Sequence, residues 1–198
     1  MDRWERLANA LGFATQLHAT QKRKGSGVPY ISHLLAVAAI VLEHGGTEDE
    51  AIAALLHDAV EDQGGQATLA LIRDRYGDTV AAIVAGCTDT DEVHKPSWRP
   101  RKERYLAHFA DAPPSVLLVV AADKLHNARS VLADYRELGD ALWPRFTGNR
   151  DGTLWYYRAV ADALRARAQS GSDNLKKLVA DLNRTVDELE RAAVAPRQ

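Results

Sequence analysis

Apolar residues recur at three- and four-residue spacing along almost the whole sequence, and the strict alternation typical of half-buried strands is scarce. This period predicts an all-α fold, a helical bundle of roughly ten helices. Signals for helix ends agree with it. Thr47 and Glu50 have the spacing of a capping box, and Gly64-Gly65 follows the segment that they open. We therefore expect helices packed around a core, and no sheet.

The same period, with Gly, Pro and capping residues at the ends, divides the chain into successive helices. The segment after Pro113-Pro114 begins like a strand, because Val and Leu run together there. Its length and its Ala-rich continuation nevertheless favour one long helix. We predict helices over about 3–22, 30–44, 47–62, 67–76, 78–87, 100–111, 115–139, 151–170 and 173–193.

A stripe of apolar residues runs along the last predicted helix at mixed three and four spacing. Because the stripe is short for a coiled coil, packing on the chain's own core is the stronger interpretation, and a homodimer seam is the alternative. The stripe consists of Leu175, Leu178, Leu182, Val186 and Leu189.

The composition is that of a globular protein, with 46% hydrophobic and 26% charged residues in 198. The net charge of −2 gives no overall field that would attract nucleic acid or an anionic membrane. Cys87 is the only cysteine, so no disulfide can form within the chain. The sequence shows no signal-peptide run and no apolar run long enough to cross a bilayer. We therefore expect a cytoplasmic protein with no nucleic acid or membrane partner.

Four ionisable side chains interrupt the apolar segment "ALLHDAVED": His57, Asp58, Glu61 and Asp62. In a continuous helix, residues four apart share a face, so His57 would lie above Glu61, and Asp58 above Asp62. Burying a carboxylate is costly unless it is paired or coordinated. The segment therefore predicts a metal site. His and Asp without Cys suit Mn²⁺, Fe²⁺, Mg²⁺ or Zn²⁺.

Two residues elsewhere have the same character. His33 lies in the first turn of the second predicted helix, in "PYISH". Asp123 follows the apolar run "VLLVVAA", where a lone carboxylate would otherwise be hard to explain. With His57 and Asp58 they form a two-His, two-Asp set that would leave coordination positions for water and substrate. The alternative is a buried ion pair with a structural role only.

The motifs "PYISH", "LLHDAVED" and "ADKLHNAR", in this order, resemble those of the HD-domain metal-dependent phosphohydrolases. The chain is most similar to the hydrolase domain of the RelA/SpoT family and to its single-domain relatives, the small alarmone hydrolases. The upstream stretch "QKRKGSGVPYISH" sharpens the match. We expect a single HD-type domain over residues 1–198, with its motif core in 21–129 and C-terminal helices in 150–193.

The resemblance implies a site for a divalent metal, with Mn²⁺ as the expected ion. The ligands would be His33, His57, Asp58 and Asp123. It implies hydrolysis of the 3′-pyrophosphate of guanosine tetra- or pentaphosphate, (p)ppGpp, to GDP or GTP and pyrophosphate by a metal-activated water. The carboxylates that orient or deprotonate this water would be Glu61 and Asp62. Their positions, one helical turn from a ligand, agree with that role.

The resemblance also implies contacts with the nucleotide. The Arg-Lys pair of the basic loop would meet the base and phosphates, since a guanidinium can stack on a purine and also pair with phosphate. The basic stretch from Arg99 to Arg104 would reach the distal phosphates, although such a stretch is equally often a solvated helix face. Other histidines, among them His18, are expected to be structural. The expected substrate-binding residues are Arg23, Lys24, Lys102, Asn127, Arg145 and Tyr156.

Two other functions remain open. An HD phosphohydrolase could act through the same metal site on another nucleotide, such as the 2′-phosphate of NADPH. A non-catalytic nucleotide sensor is less favoured, because such a protein should have lost a ligand or one of Glu61 and Asp62, and neither is missing. At 198 residues we expect no room for the synthetase, TGS and ACT domains of the long RelA/SpoT enzymes.

Overall fold

A computed structural model describes residues 4–89 and 97–194. Within these ranges the chain is helical, and its one β feature is an isolated bridge between Lys22 and Pro29. The all-α prediction is therefore confirmed. No helix in the described part is long and apolar enough to cross a membrane. The helices are α1 (Glu5–Leu17), α2 (Ile31–Glu43), α3 (Glu48–Leu56), α4 (Ala59–Asp62), α5 (Gly65–Tyr76), α6 (Asp78–Cys87), α7 (Trp98–His108), α8 (Pro114–Leu138), a 3₁₀-helix (Gly139–Arg145), α9 (Asn149–Ala168) and α10 (Asp173–Val194).

The described residues fall into two compact units. The first unit holds residues 4–89 and 112–122, and the second unit holds residues 97–111 and 123–194. The long helix α8 begins in the first unit and ends in the second. The organisation of the chain as a single HD-type domain stays a prediction.

Helix α3 is the centre of the first unit and packs against α1, α2 and α6. Every residue from Ala51 to Leu56 is buried, and the Ala residues among them let neighbouring helices approach closely. The predicted capping box opens this helix. The Thr47 hydroxyl accepts from the Glu50 N–H at 3.3 Å, and the Glu50 carboxylate accepts from the Thr47 N–H at 2.7 Å.

The prediction of one helix over 47–62 is wrong in one respect, since α3 ends at Leu56 and α4 begins at Ala59. The imidazole Nδ1 of His57 lies 2.8 Å from the carbonyl oxygen of Ala54, which in a continuous helix accepts the N–H of residue 58. Asp58 has φ −96° and ψ −1°, which departs from regular helix. The break falls at His57 and Asp58, two of the four residues predicted to bind metal.

The first helix is also shorter than predicted. It ends at Leu17, and a loop over 18–30 connects it to α2. Arg23 N–H donates to the Val28 carbonyl at 2.8 Å, and Tyr30 N–H donates to the Gln21 carbonyl at 3.0 Å. These bonds fold the basic loop back on itself. They leave Tyr30 directly before the first turn of α2.

In the second unit, α10 packs along α9, and α9 also contacts α7 and the 3₁₀-helix. The 3₁₀-helix was not predicted. It begins at Gly139, whose φ of 61° allows the chain to turn out of α8. The apolar stripe of α10 is buried within the chain itself, which favours core packing over a dimer seam. Its members are Leu175, Leu178, Leu182, Val186 and Leu189.

Candidate active site

His33 lies in the first turn of α2 and is fully buried. Its ring is enclosed by two others. The ring of Tyr30 meets it edge-on at a centroid distance of 5.4 Å, and the ring of His57 does so at 5.3 Å. The motif "PYISH" therefore brings its histidine to the end of α3, beside His57.

His57 and Asp58 occupy the junction of α3 and α4. His57 is buried, and the side chain of Asp58 is 23% exposed. Nε2 of His57 lies 3.0 Å from Oδ2 of Asp58, and Nε2 of His33 lies 3.7 Å from the same oxygen. Two imidazole nitrogens thus face one carboxylate oxygen.

The geometry of these three side chains fits a divalent ion. One ligand atom from each of His33, His57 and Asp58 lies within 4.8 Å of the others. Imidazole nitrogen and carboxylate oxygen are ligands that Mn²⁺, Fe²⁺ and Zn²⁺ accept, and no thiolate is present in the group. A cation at this point would also balance a carboxylate held between two buried rings.

Tyr30 holds the carboxylate of Asp58. Its hydroxyl donates to Oδ2 at 2.5 Å, the same oxygen that faces the two histidines. A hydrogen bond that a charged carboxylate accepts is roughly twice as strong as one between neutral groups. Tyr30 was not among the site residues predicted from the sequence, although its position in "PYISH", three residues before His33, could have suggested a role at the site.

Glu61 and Asp62 lie in the short helix α4, one turn beyond Asp58. The Asp62 N–H donates to the Asp58 carbonyl at 3.0 Å, so the helical relation between these two residues survives the break. Glu61 is half-buried and Asp62 is exposed. Nε2 of Gln21 donates to Oδ2 of Asp62 at 2.7 Å. Gln21 is a second contact residue that was not predicted from the sequence.

Asp123, the fourth expected ligand, lies in the second unit, where it is buried. Oδ2 lies 2.6 Å from Nζ of Lys124, and Nδ2 of Asn127 donates to Oδ1 at 2.5 Å. Burial is the largest single effect on the pKa of Lys124 and lowers it. The attraction of Asp123, Tyr156 and Tyr105 and the hydrogen bond to Asp123 together outweigh burial, so this pKa lies well above its usual value. A basic residue directly after a buried acid was the signal that could have identified Lys124.

The basic loop brings one of its two expected residues to the site. The guanidinium of Arg23 lies 5.8 Å from the centre of the Tyr30 ring, whose hydroxyl contacts Asp58. Lys24 is exposed on the same loop. The structure thus associates Arg23, but not Lys24, with the aromatic ring beside the candidate ligands.

The remaining expected contacts lie in the second unit. Nζ of Lys102 lies 4.8 Å from the centre of the Tyr156 ring, a cation–π distance. Arg145 is held by an ion pair with Asp134, its Nη1 lying 3.5 Å from Oδ2. Lys102 and Tyr156 therefore form one local cluster, and Arg145 belongs to another.

A family model described as the HD domain matches residues 10–154. The chain belongs to the HD domain family. The matched range includes His33, His57, Asp58 and Asp123, so the name-giving His-Asp pair and the other expected ligands all lie within the HD domain. HD-domain membership and the His/Asp group together indicate a site for a divalent metal.

Known proteins are similar to this chain over part of their length. A Mycobacterium leprae (strain TN) protein named "Probable GTP pyrophosphokinase" is 42% identical over 126 residues, which is 63% of this chain but 16% of that protein. A Danio rerio protein named "Guanosine-3′,5′-bis(diphosphate) 3′-pyrophosphohydrolase MESH1" is 36% identical over 128 residues, 63% of this chain and 68% of the relative. The chain thus spans less than a fifth of the first relative and two thirds of the second.

A solved structure of similar fold carries the description "A metazoan ortholog of SpoT hydrolyzes ppGpp and plays a role in starvation responses". It matches with a TM-score of 0.73 and 24% identity, and the match covers 96% of this chain and 97% of that one. At this identity the likeness establishes the shared HD fold.

Proposed function

We propose that this chain hydrolyses the 3′-pyrophosphate of (p)ppGpp to GDP or GTP and pyrophosphate. The observation that carries the proposal is the position of Nε2 of His33 and Nε2 of His57, which both face Oδ2 of Asp58. It is supported by the Danio rerio relative, whose name states this activity and of which the match covers 68%.

We infer that the ion is Mn²⁺ and that Asp123 completes its ligand set. The nitrogen and oxygen donors of His33, His57 and Asp58 suit this ion. Asp123 is included on the resemblance of "ADKLHNAR" alone. When bound, a divalent ion supplies Lewis-acid polarisation of a phosphoryl oxygen and lowers the pKa of a nearby water.

The chain's own carboxylates would handle the proton. In the reaction, the oxygen of water bonds to the phosphorus on ribose O3′, the P–O3′ bond breaks, and O3′ takes up a proton. Glu61 and Asp62 lie within one turn of Asp58, where a carboxylate can accept the proton that the water loses. The hydrogen bond from Gln21 fixes the direction of the Asp62 carboxylate.

Substrate contacts are proposed for the six residues that the resemblance indicates. Arg23 has the clearest support, because it lies over the ring of Tyr30 next to Asp58. A guanidinium there can stack on a purine or pair with a phosphate. The others are Lys24, Lys102, Asn127, Arg145 and Tyr156. The proposed partner is thus a small guanosine polyphosphate, and a homodimer and a cytoplasmic location remain predictions.

The test is incubation of the purified chain with Mn²⁺ and a substrate panel of guanosine tetraphosphate, guanosine pentaphosphate, NADPH and common nucleotides. Chromatography of the nucleotide products and an assay for free pyrophosphate report the reaction. We expect GDP or GTP with an equal amount of pyrophosphate. The matched control is Asp58→Asn, which keeps the side-chain shape and removes the charge.

Phosphate release from NADPH, with both alarmones intact, would instead support the alternative HD phosphohydrolase. Nucleotide binding without turnover, while calorimetry shows Mn²⁺ bound, would support the sensor. Either result contradicts the proposed function.

A further inference from the structure

Three side chains of the first unit form a hydrogen-bonded chain that ends at Asp62. Nδ1 of His18 lies 2.7 Å from Oε1 of Gln21, and Nε2 of Gln21 donates to Oδ2 of Asp62 at 2.7 Å. The amide of Gln63 donates to the same Oε1 at 2.6 Å. His18 begins this chain from a buried position with 2% of its surface exposed.

The directions of these bonds follow from the charge on Asp62. A carboxylate only accepts hydrogen bonds, so Gln21 must turn its NH₂ group towards Asp62. The amide oxygen of Gln21 then faces His18, and Nδ1 of His18 must carry the proton. A flipped Gln21 amide would set its oxygen against the carboxylate and its NH₂ against the donor amide of Gln63.

The other nitrogen of His18 takes no part in the chain. Nε2 is buried and has no hydrogen-bond partner among residues 4–89 and 97–194. A proton placed on Nε2 would have no acceptor among the described residues, and a buried donor without an acceptor is destabilising. Burial therefore favours the same tautomer that Gln21 requires.

The ring of His18 also supports the candidate metal ligands. It stacks on the ring of Tyr30 at a centroid distance of 5.4 Å and an interplanar angle of 22°. The hydroxyl of Tyr30 donates to Asp58 at 2.5 Å. One buried histidine therefore contacts two residues, Tyr30 and Gln21, each of which holds a carboxylate of the candidate site.

We propose that His18 is a positioning residue, which orients Asp58 through the ring of Tyr30 and Asp62 through the amide of Gln21. This inference rests on the proposed function, because Asp62 is given a proton-transfer role there. Asp62 is exposed, so without the Gln21 bond its side chain would sample several rotamers. Residues that orient metal ligands and catalytic groups in this way change metal affinity or activity by about 10–100-fold.

Four variants test the connection from His18 through Gln21 to Asp62 and the hydrogen bond from Tyr30 to Asp58. His18→Phe keeps a ring over Tyr30 but removes the donor to Gln21, and Gln21→Leu removes the donor to Asp62. We expect each to lower kcat by about 10-fold or more, with KM and Mn²⁺ affinity close to wild type. His18→Asn, whose amide can replace the Nδ1–H donor, should recover part of this kcat. Tyr30→Phe should instead weaken Mn²⁺ binding by about 10-fold in calorimetry.

The matched control is Gln16→Leu. Gln16 is an exposed residue of α1, and the substitution is the same as at Gln21. We expect its kcat, KM and Mn²⁺ affinity to equal those of wild type. A loss in this variant equal to that of Gln21→Leu would assign the effect to general damage and overturn the inference.

A readout independent of activity is the tautomer of His18. Long-range nitrogen–proton NMR spectra of histidine-labelled protein should show the proton on Nδ1 in wild type and a changed pattern in Gln21→Leu. This measurement stands even if the wild type releases no pyrophosphate, the result that would reject the proposed function alone. A proton on Nε2 of His18, or full kcat in both His18→Phe and Gln21→Leu, would overturn the positioning role while the function stands.

Discussion

Nδ1 of His57 donates a hydrogen bond to the carbonyl oxygen of Ala54, and the two atoms lie 2.8 Å apart. A carbonyl oxygen only accepts, so the proton sits on Nδ1 and Nε2 keeps its lone pair. That Nε2 faces Oδ2 of Asp58 at 3.0 Å. The backbone at the end of α3 thus selects the tautomer that a metal ion needs, and the same bond ends the helix.

Acid should therefore weaken metal binding. A second proton on His57 would occupy Nε2, since Nδ1 already carries one, and imidazole binds metals only through a bare nitrogen. We expect Mn²⁺ affinity to fall as the pH is lowered, because protons and the ion compete for the same nitrogen. Calorimetry in buffers of different ionisation enthalpy should show protons released on binding. Mn²⁺ affinity that does not change with pH would contradict this assignment.

Substitutions of Asp58 and of Glu61 should impair different properties, metal binding in the first case and kcat in the second. Asp58→Asn removes the charge between the two histidines, and we expect it to weaken Mn²⁺ binding by more than about 100-fold, the upper end of the loss for residues that only orient ligands. Glu61→Gln should leave Mn²⁺ bound and lower kcat by about 100-fold or more, the usual effect of losing a proton acceptor. Calorimetry and steady-state kinetics on both proteins measure this. Loss of the metal in Glu61→Gln would reverse the proposed roles.

The starts of two helices could be predicted from the sequence, because each has a signal within one turn of it. Thr47 and Glu50 set the start of α3 correctly. The tandem prolines set the start of α8 to within one residue, since it was predicted at 115 and lies at Pro114. The end of α3 was predicted wrongly, because it depends on a side chain, the imidazole of His57, that bonds to a backbone carbonyl. A periodic apolar pattern continues through such a break and does not reveal it.

Only part of the candidate site could be predicted, again because only short-range patterns are visible in the sequence. His57 and Asp58 are adjacent in the chain and His33 belongs to a recognisable motif, so their grouping follows from short patterns. The bond from Gln21 to Asp62 joins residues 41 positions apart, and no local pattern links them. The role of His18 was missed because its two contacts appear only once the loop is folded.

The capping box makes a prediction about stability. Thr47→Ala removes the hydroxyl that accepts from the Glu50 N–H at the start of α3. We expect the free energy of unfolding to fall by about 1 kcal/mol, measured by urea denaturation. Thr15→Ala is the matched control, because Thr15 is exposed within α1 and its hydroxyl donates to the Leu11 carbonyl of the same helix. An equal loss in both proteins would show that the cap contributes nothing of its own.

Substitution of Lys124 tests how much its ion pair with Asp123 stabilises the fold. It also tests whether Asp123 is the fourth metal ligand. The two side chains are 15% and 8% exposed, and their charged atoms lie 2.6 Å apart. Lys124→Met keeps the apolar stem but leaves the carboxylate buried without its cation. Breaking such a pair costs about 3–5 kcal/mol, so we expect a loss of about 3 kcal/mol in urea denaturation with EDTA present. Lys176→Met, which breaks an exposed pair with Asp173, should cost less than about 1 kcal/mol.

Adding Mn²⁺ then distinguishes the two roles of Asp123. If its carboxylate binds the ion, the ion supplies the positive charge that Lys124→Met removed, and the metal stabilises the folded state by mass action. The variant should therefore gain more stability from Mn²⁺ than the wild type does, because the wild-type carboxylate already has a cation. Equal gains in the two proteins would show that Asp123 pairs with Lys124 for structural reasons, and that the ion is held by His33, His57 and Asp58 without it.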